Sequence, residues 1–392
     1  MSKHRVIPIL IALGGTGLPA CTSTTEAPPV AITTEFALRD SFRALWIDHV
    51  ALTRFYLVAA IADLPSADAA AARLLENQAN LGDAIQPYYG SSAAAALTAL
   101  LREHITIAVQ IVAAAKGNDA LRLAEAKTRW TTNSDAIATF LAAANPNWPV
   151  ADLQAMMRTH LDQTLAEATA RLEGNWTADV LAYQTVSKHI LEMADTLSAG
   201  ITKQFPLKVS VTAMSGKNQE LRRAMRALWT EHVTWTRLYL ISTLADLPDA
   251  DAASVRLMQN QVDLGNALKP YYGVTVGEGL TNLLHDHISL AAEVIAAAKA
   301  GDDATLAGSQ QRWNANADAI ATFLAGSNPA WAGLDLSNMM HMHLDLTSAE
   351  LTSRLMKDWA ADTAAYDKVV AHARTMADTL SSGIALQFPG SF

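Results

Sequence analysis

Met156 and His160 lie four residues apart in "MMRTHLDQ", and His189 and Met193 lie four apart in "KHILEM". On a helix each such pair shares one face. An antiparallel helix pair brings to one height the residues equidistant from its turn, because every residue adds about 1.5 Å of rise. His160 and His189 are equidistant from "GN" at Gly174 and Asn175, and so are Met156 and Met193. The same relation recurs in "MMHMHLDL", which places His343 opposite His372 and Met339 opposite Met376. Two imidazoles and two thioethers form a soft donor set that suits copper(I).

Folding outward through earlier turns places His104, with Glu103 and Asn133, at the height of His160. His287, with Asp286 and Asn316, does the same for His343. His49 and His232 fall a few residues from that level and are further candidates. Three imidazoles with a carboxylate would instead suit zinc, iron or manganese. A plainer reading competes, because Met fills gaps in Ala-rich cores and a buried His often donates to a carbonyl. His285 and His341 have no counterparts earlier in the chain and read as surface or accessory residues.

These segments belong to a chain written twice. From Leu38 to Pro206 every position pairs with the one 183 residues later, ending at Pro389, with 90 identities in 169 pairs. Repeat 1 spans residues 38–206 and repeat 2 spans 221–392, with residues 207–220 as a polar linker. Turn signals at "DLPSAD", "PYYG", "KGND", "NPNWP" and "GN" cut repeat 1 into about six helical lengths. Short connections predict an all-α fold of two tandem up-and-down bundles. Ser66 and Asp68, and Asp249 and Asp251, are the expected N-caps of the second helix of each repeat. Asn77, Gln78, Tyr88 and Tyr89 are expected to close that helix's turn rather than line a pocket. Glu167 and Glu350 are expected to pair along the helix with Arg171 and Arg354.

Composition narrows the function. An apolar share of 51% with few Gly and Pro favours packed helices. A net charge of -9 with no basic stripe argues against nucleic-acid binding. No Walker loop, HExxH or Ser-His-Asp order is present, so a non-catalytic role is expected. The lone cysteine, Cys21, closes a basic start, the apolar run "VIPILIAL" and "LPAC". This pattern resembles a bacterial lipoprotein signal over residues 1–21, with residues 22–37 as a tether. The expectation is an exported protein of the cell envelope, on its periplasmic or extracellular face, held to the membrane by a lipid on Cys21. No later uninterrupted apolar run reaches the length of a membrane span.

"LWTEHVTWTRLYLISTLADLPD", "QNQVDLGNALKPYYG", "WNANADAIATFLAGSNPAW" and "MMHMHLDLTSAEL" resemble a family of small exported bacterial all-helical proteins with no established activity. Each repeat is similar to one complete member. Repeat 1 is the weaker match, with Leu52 where repeat 2 has Trp235. Some members carry enzyme names such as acetylglutamate kinase or glycosyltransferase, which these residues do not support: both reactions need nucleotide-binding α/β machinery. The expected function is metal binding, copper foremost, for storage, buffering or delivery, with one His/Met site per repeat. The alternative is a non-enzymatic scaffold in which the same residues are structural core.

Overall fold

Each turn signal ends one helix and starts the next. The computed structural model describes residues 33–210 and 216–392. Repeat 1 forms α1 (Glu35–Ile61), α2 (Ala67–Tyr89), α3 (Ser91–Lys116), α4 (Ala120–Ala144), α5 (Val150–Leu172) and α6 (Trp176–Gln204). The side chains of Asp119 and Asn175 accept from the backbone N–H groups of Arg122 and Ala178, capping α4 and α6. Repeat 2 forms α7 (Gly216–Leu244), α8 (Ala250–Ala300), α9 (Asp303–Ser327), the short α10 (Pro329–Ala332), α11 (Leu336–Leu355) and α12 (Trp359–Gln387). Helix α8 is two helices joined at Gly273, whose φ of 80° breaks the spiral where Gly90, at φ 84°, separates α2 from α3.

Consecutive helices pack side by side, and the last returns to the first, so each repeat is a closed ring of antiparallel helices. Within the ring of repeat 1, α1 also touches α3 and α5. The all-α fold and the two bundles therefore agree with expectation.

The ends of the repeats differ from the sequence reading. Helix α1 starts at Glu35, inside the expected tether, and α7 starts at Gly216, inside the expected linker. Thr33–Thr34 (β1) pairs in parallel with Val209–Ser210 (β2), and Val209 is buried. Cys21 and the rest of residues 1–32 lie outside the described residues, as do residues 211–215. Helices α1 and α3 are long and apolar enough to cross a bilayer, although charged residues interrupt both. Helix α1 is mostly buried in the bundle, together with Asp40, His49 and Arg54, whereas α3 buries one face.

The two bundles join through buried ion networks. Arg54 donates to Glu167 at 2.9 Å and to both carboxylate oxygens of Asp179, at 3.0 and 2.8 Å. Arg171 bridges Asp179 to Asp249 of repeat 2. Reciprocally, Arg237 holds Glu350 and Asp362, and Arg354 reaches from Asp362 to Ser66 of repeat 1. Glu167 therefore pairs across helices with Arg54, not along its own helix with Arg171. Ser66 and Asp249 make no side-chain cap; Ser66 Oγ and Asp249 Oδ2 instead accept from the other repeat's arginine. Aromatic faces cover the networks: Arg54 lies 5.0 Å over Trp235, and Arg237 lies 5.0 Å over Phe55.

Candidate metal centre

Three alternate helices of each ring bring one imidazole apiece to its centre. In repeat 1 these are His49 on α1, His104 on α3 and His160 on α5, all buried. The His160 ring centre lies 5.5 Å from that of His49 and 6.0 Å from that of His104. In repeat 2 the trio is His232 on α7, His287 on the second half of α8 and His343 on α11. Their ring centres are 5.5, 5.9 and 6.4 Å apart. One nitrogen from each of these three rings lies within 4.8 Å of the other two, the one such His, Cys, Asp or Glu cluster found among the described residues.

The intervening helices hold these rings in place. Asn133 on α4 gives its amide nitrogen to the Leu100 carbonyl at 3.1 Å, which turns Oδ1 toward His104 Nδ1 at 3.0 Å. His104 is thereby the donor at Nδ1 and keeps a bare Nε2, the second-sphere arrangement common to metal-bound histidines. Asn316 repeats it on His287 at 3.0 Å. Gln78 on α2 contacts His49 Nδ1 at 3.2 Å, and Gln261 contacts His232 at the same distance. Asn77 and Asn260 lock the same segment to the Leu45 and Leu228 carbonyls. Trp130 Nε1 donates to the His104 carbonyl, and its ring lies 5.0 Å from the His104 ring.

Burial makes every trio imidazole neutral at ordinary pH. His49 is held down to about 3 by burial and by His104 beside it. Burial alone holds His104 down to about 4, against the pull of Asn133. His232 and His287 are held down to about 3 and about 4 in the same way. His160 and His343 sit well below the usual range, through burial and the neighbouring rings. Their Nδ1 atoms are buried with no hydrogen-bond partner, which costs free energy unless something occupies them. The site thus presents the bare Nε2 of His104 and His287 in a dry setting without a carboxylate in the cluster, whereas the Gln78 and Gln261 amide nitrogens donate to Nδ1 of His49 and His232.

The structure redistributes the residues expected from sequence. His49 and His232, placed off the level of the cluster, belong to the trios. His189 and His372 lie beside them but are otherwise engaged: each donates from Nε2 to a carbonyl, Met156 and Met339 respectively, at 2.9 Å. The His343 and His372 ring centres are 6.5 Å apart. Met156 and Met193 line a small apolar cavity with Phe42, Trp46 and Trp148 rather than standing among the imidazoles. Met339 is half-buried and Met376 fully buried in the equivalent core of repeat 2. His341 is a surface residue paired with Asp318 at 2.9 Å, and His285 contacts the Met258 carbonyl.

Gln78, read as a turn residue, and its counterpart Gln261 are the contacts that sequence reasoning missed. Their signal was available, since His49 and Gln78 are equidistant from the turn at Asp63 and Leu64. Tyr89 ties the end of α2 to two other helix ends, accepting from Asn145 at 2.9 Å and donating to Gln204. Comparison of the chain with known protein families, with curated proteins and with solved structures gave no match.

Proposed function

We propose that each repeat binds one transition-metal ion through three imidazoles, His49, His104 and His160 in repeat 1 and His232, His287 and His343 in repeat 2. The observation that carries this reading is the convergence of three buried neutral imidazoles on alternate helices of repeat 2, one nitrogen of each within 4.8 Å of the others, with ring spacings of 5.5 and 6.0 Å at the matching positions of repeat 1. An asparagine orients one ring of each trio, and another ring has an unpartnered nitrogen. Imidazole accepts copper, zinc, iron and nickel alike, so charge and hydration must discriminate. An ion's desolvation cost grows with the square of its charge, so a divalent ion costs about four times as much to dry as a monovalent one. A buried site with no carboxylate supplies no countercharge to offset that cost beyond the imidazole bonds themselves, which favours copper(I) over zinc, iron or manganese. The thioethers of Met193 and Met376 lie in the adjoining core.

With the lipoprotein-like start at Cys21, the reading becomes a lipid-anchored copper protein of the bacterial cell envelope. It would serve storage, buffering or delivery rather than catalysis. A structural role is favoured for His189 and His372, whose carbonyl bonds already satisfy them.

The test is metal content by mass spectrometry on the full chain purified without a His tag, followed by copper(I) titration against a colorimetric chelator. Two tight equivalents are expected. One should remain in the His287→Ala/His343→Ala variant and none when His104 and His160 are also replaced, with helical content retained. Asn316→Ala should weaken the second site by about 10- to 100-fold. Absence of any bound metal, or unchanged stoichiometry in the double variant, would return the trios to core packing.

A further inference from the structure

A second feature owes nothing to the imidazoles. Between the repeats lies a partly open cavity of about 250 Å³, walled by α1 and α6 on one side and α7 on the other. Its floor is largely carbon, with Ala44, Ile47 and Leu191 among the lining residues. Its charged groups are mostly neutralised in the walls: Arg43 by Asp195 at 2.6 Å, Arg226 by Asp40 at 2.7 Å, Arg374 by Asp48 at 2.6 Å, and Glu231 by Arg256.

Two cations are left over. Lys188 and Arg223 line the cavity and form no ion pair among the described residues, and Arg223 Nη1 is buried without a partner. Burial, together with the like charges of Arg39 and Arg43, presses the Arg223 guanidinium below its usual range despite the opposing pull of Asp195 and Asp40. An anion would relieve that repulsion.

The repeat makes this excess informative. Arg223 occupies the position of Asp40 in repeat 1, while Lys188 and Arg374 stand where the other repeat has Ala371 and Leu191. The positive character has therefore arisen at positions where the two copies diverge. One wall comes from each repeat, so a single copy could not build the cavity.

We propose that this inter-repeat cavity binds a small amphipathic carboxylate, with its apolar body against Ile47 and Leu191 and its head group on Arg223 and Lys188. A guanidinium fork matches a carboxylate in two parallel hydrogen bonds, whereas the carbon floor selects against a bare inorganic anion. The volume lies at the small end of ligand pockets and admits a single ring or a short chain.

Octanoate is the probe, titrated calorimetrically into the full chain with octanol and octylamine as neutral and cationic controls. One equivalent of octanoate should bind, at least tenfold tighter than either control, and equally with or without copper(I). Arg223→Gln should weaken it at least tenfold without lowering the unfolding temperature, since Arg223 anchors nothing. Ile47→Trp should block the site by filling it. Equal binding of octanol, unchanged binding in Arg223→Gln, or no heat up to millimolar octanoate would overturn the assignment. So would octanoate binding that survives Ile47→Trp.

Discussion

Lowering the pH of the metal-free protein tests the physical core of the candidate centre. Each trio imidazole is buried neutral, with His232 held near 3 and His287 near 4, against about 6.5 in an unfolded chain. Below 6.5 the unfolded chain therefore takes up protons that the folded chain refuses. Stability is full above that pH and is lost as the pH falls toward 4 and 3. At one pH unit below 6.5, each such imidazole costs about 1.4 kcal/mol, so six together cost about 8 kcal/mol, offset in part by Glu167 and Glu350, which burial pushes up to about 7 so that the folded chain takes up their protons over the same range. That is comparable with the whole stability of an ordinary domain, about 5–15 kcal/mol. Urea unfolding followed by circular dichroism at 222 nm, with EDTA present, should give a midpoint at pH 5.5 far below that at pH 7.5. His343→Leu should recover about 1.4 kcal/mol of the acid loss, because one titrating group has gone. A His343→Leu variant that loses as much stability as the parent between pH 7.5 and 5.5 would refute the reasoning. Such a result would mean that the rings are hydrated enough to carry charge, and the dry-site argument for a monovalent ion would fall with it.

Two further perturbations address the scaffold. Arg54→Met leaves Glu167 and Asp179 without their shared guanidinium at a site with almost no solvent access, and should cost about 3–5 kcal/mol by chemical denaturation; a loss under 1 kcal/mol would show that water reaches the network. Gly383→Ala places a methyl group 1.9 Å from Trp331 Nε1 and should destabilise by at least about 1–3 kcal/mol, whereas Gly308→Ala, with open space around it in α9, should stabilise by about 0.4–1 kcal/mol. Similar thermal shifts for the two variants would contradict the close packing of Trp331 on α12.

Helix identity, helix ends and the duplication were legible in the sequence because they rest on local chemistry. Asp119 and Asn175 cap the helices they precede whatever packs around them, and Gly90 and Gly273 break the chain through their own backbone freedom. Counting from the turns also placed His104 beside His160, since helical rise is fixed. Height, however, is only one coordinate. Which way a ring faces depends on helix rotation and on how the bundle closes. Hence His49 entered the trio while His189, at the right height, turned to the Met156 carbonyl.

The joining of the repeats was equally illegible. Arg171 reaches Asp249 and Arg354 reaches Ser66 because the bundles meet along faces that each repeat alone would leave exposed. The cavity beside Arg223 follows from the same meeting. Periodicity within a helix records that a face is apolar or charged. Only the packing of one bundle on the other decides which charge answers it and which is left free for a ligand.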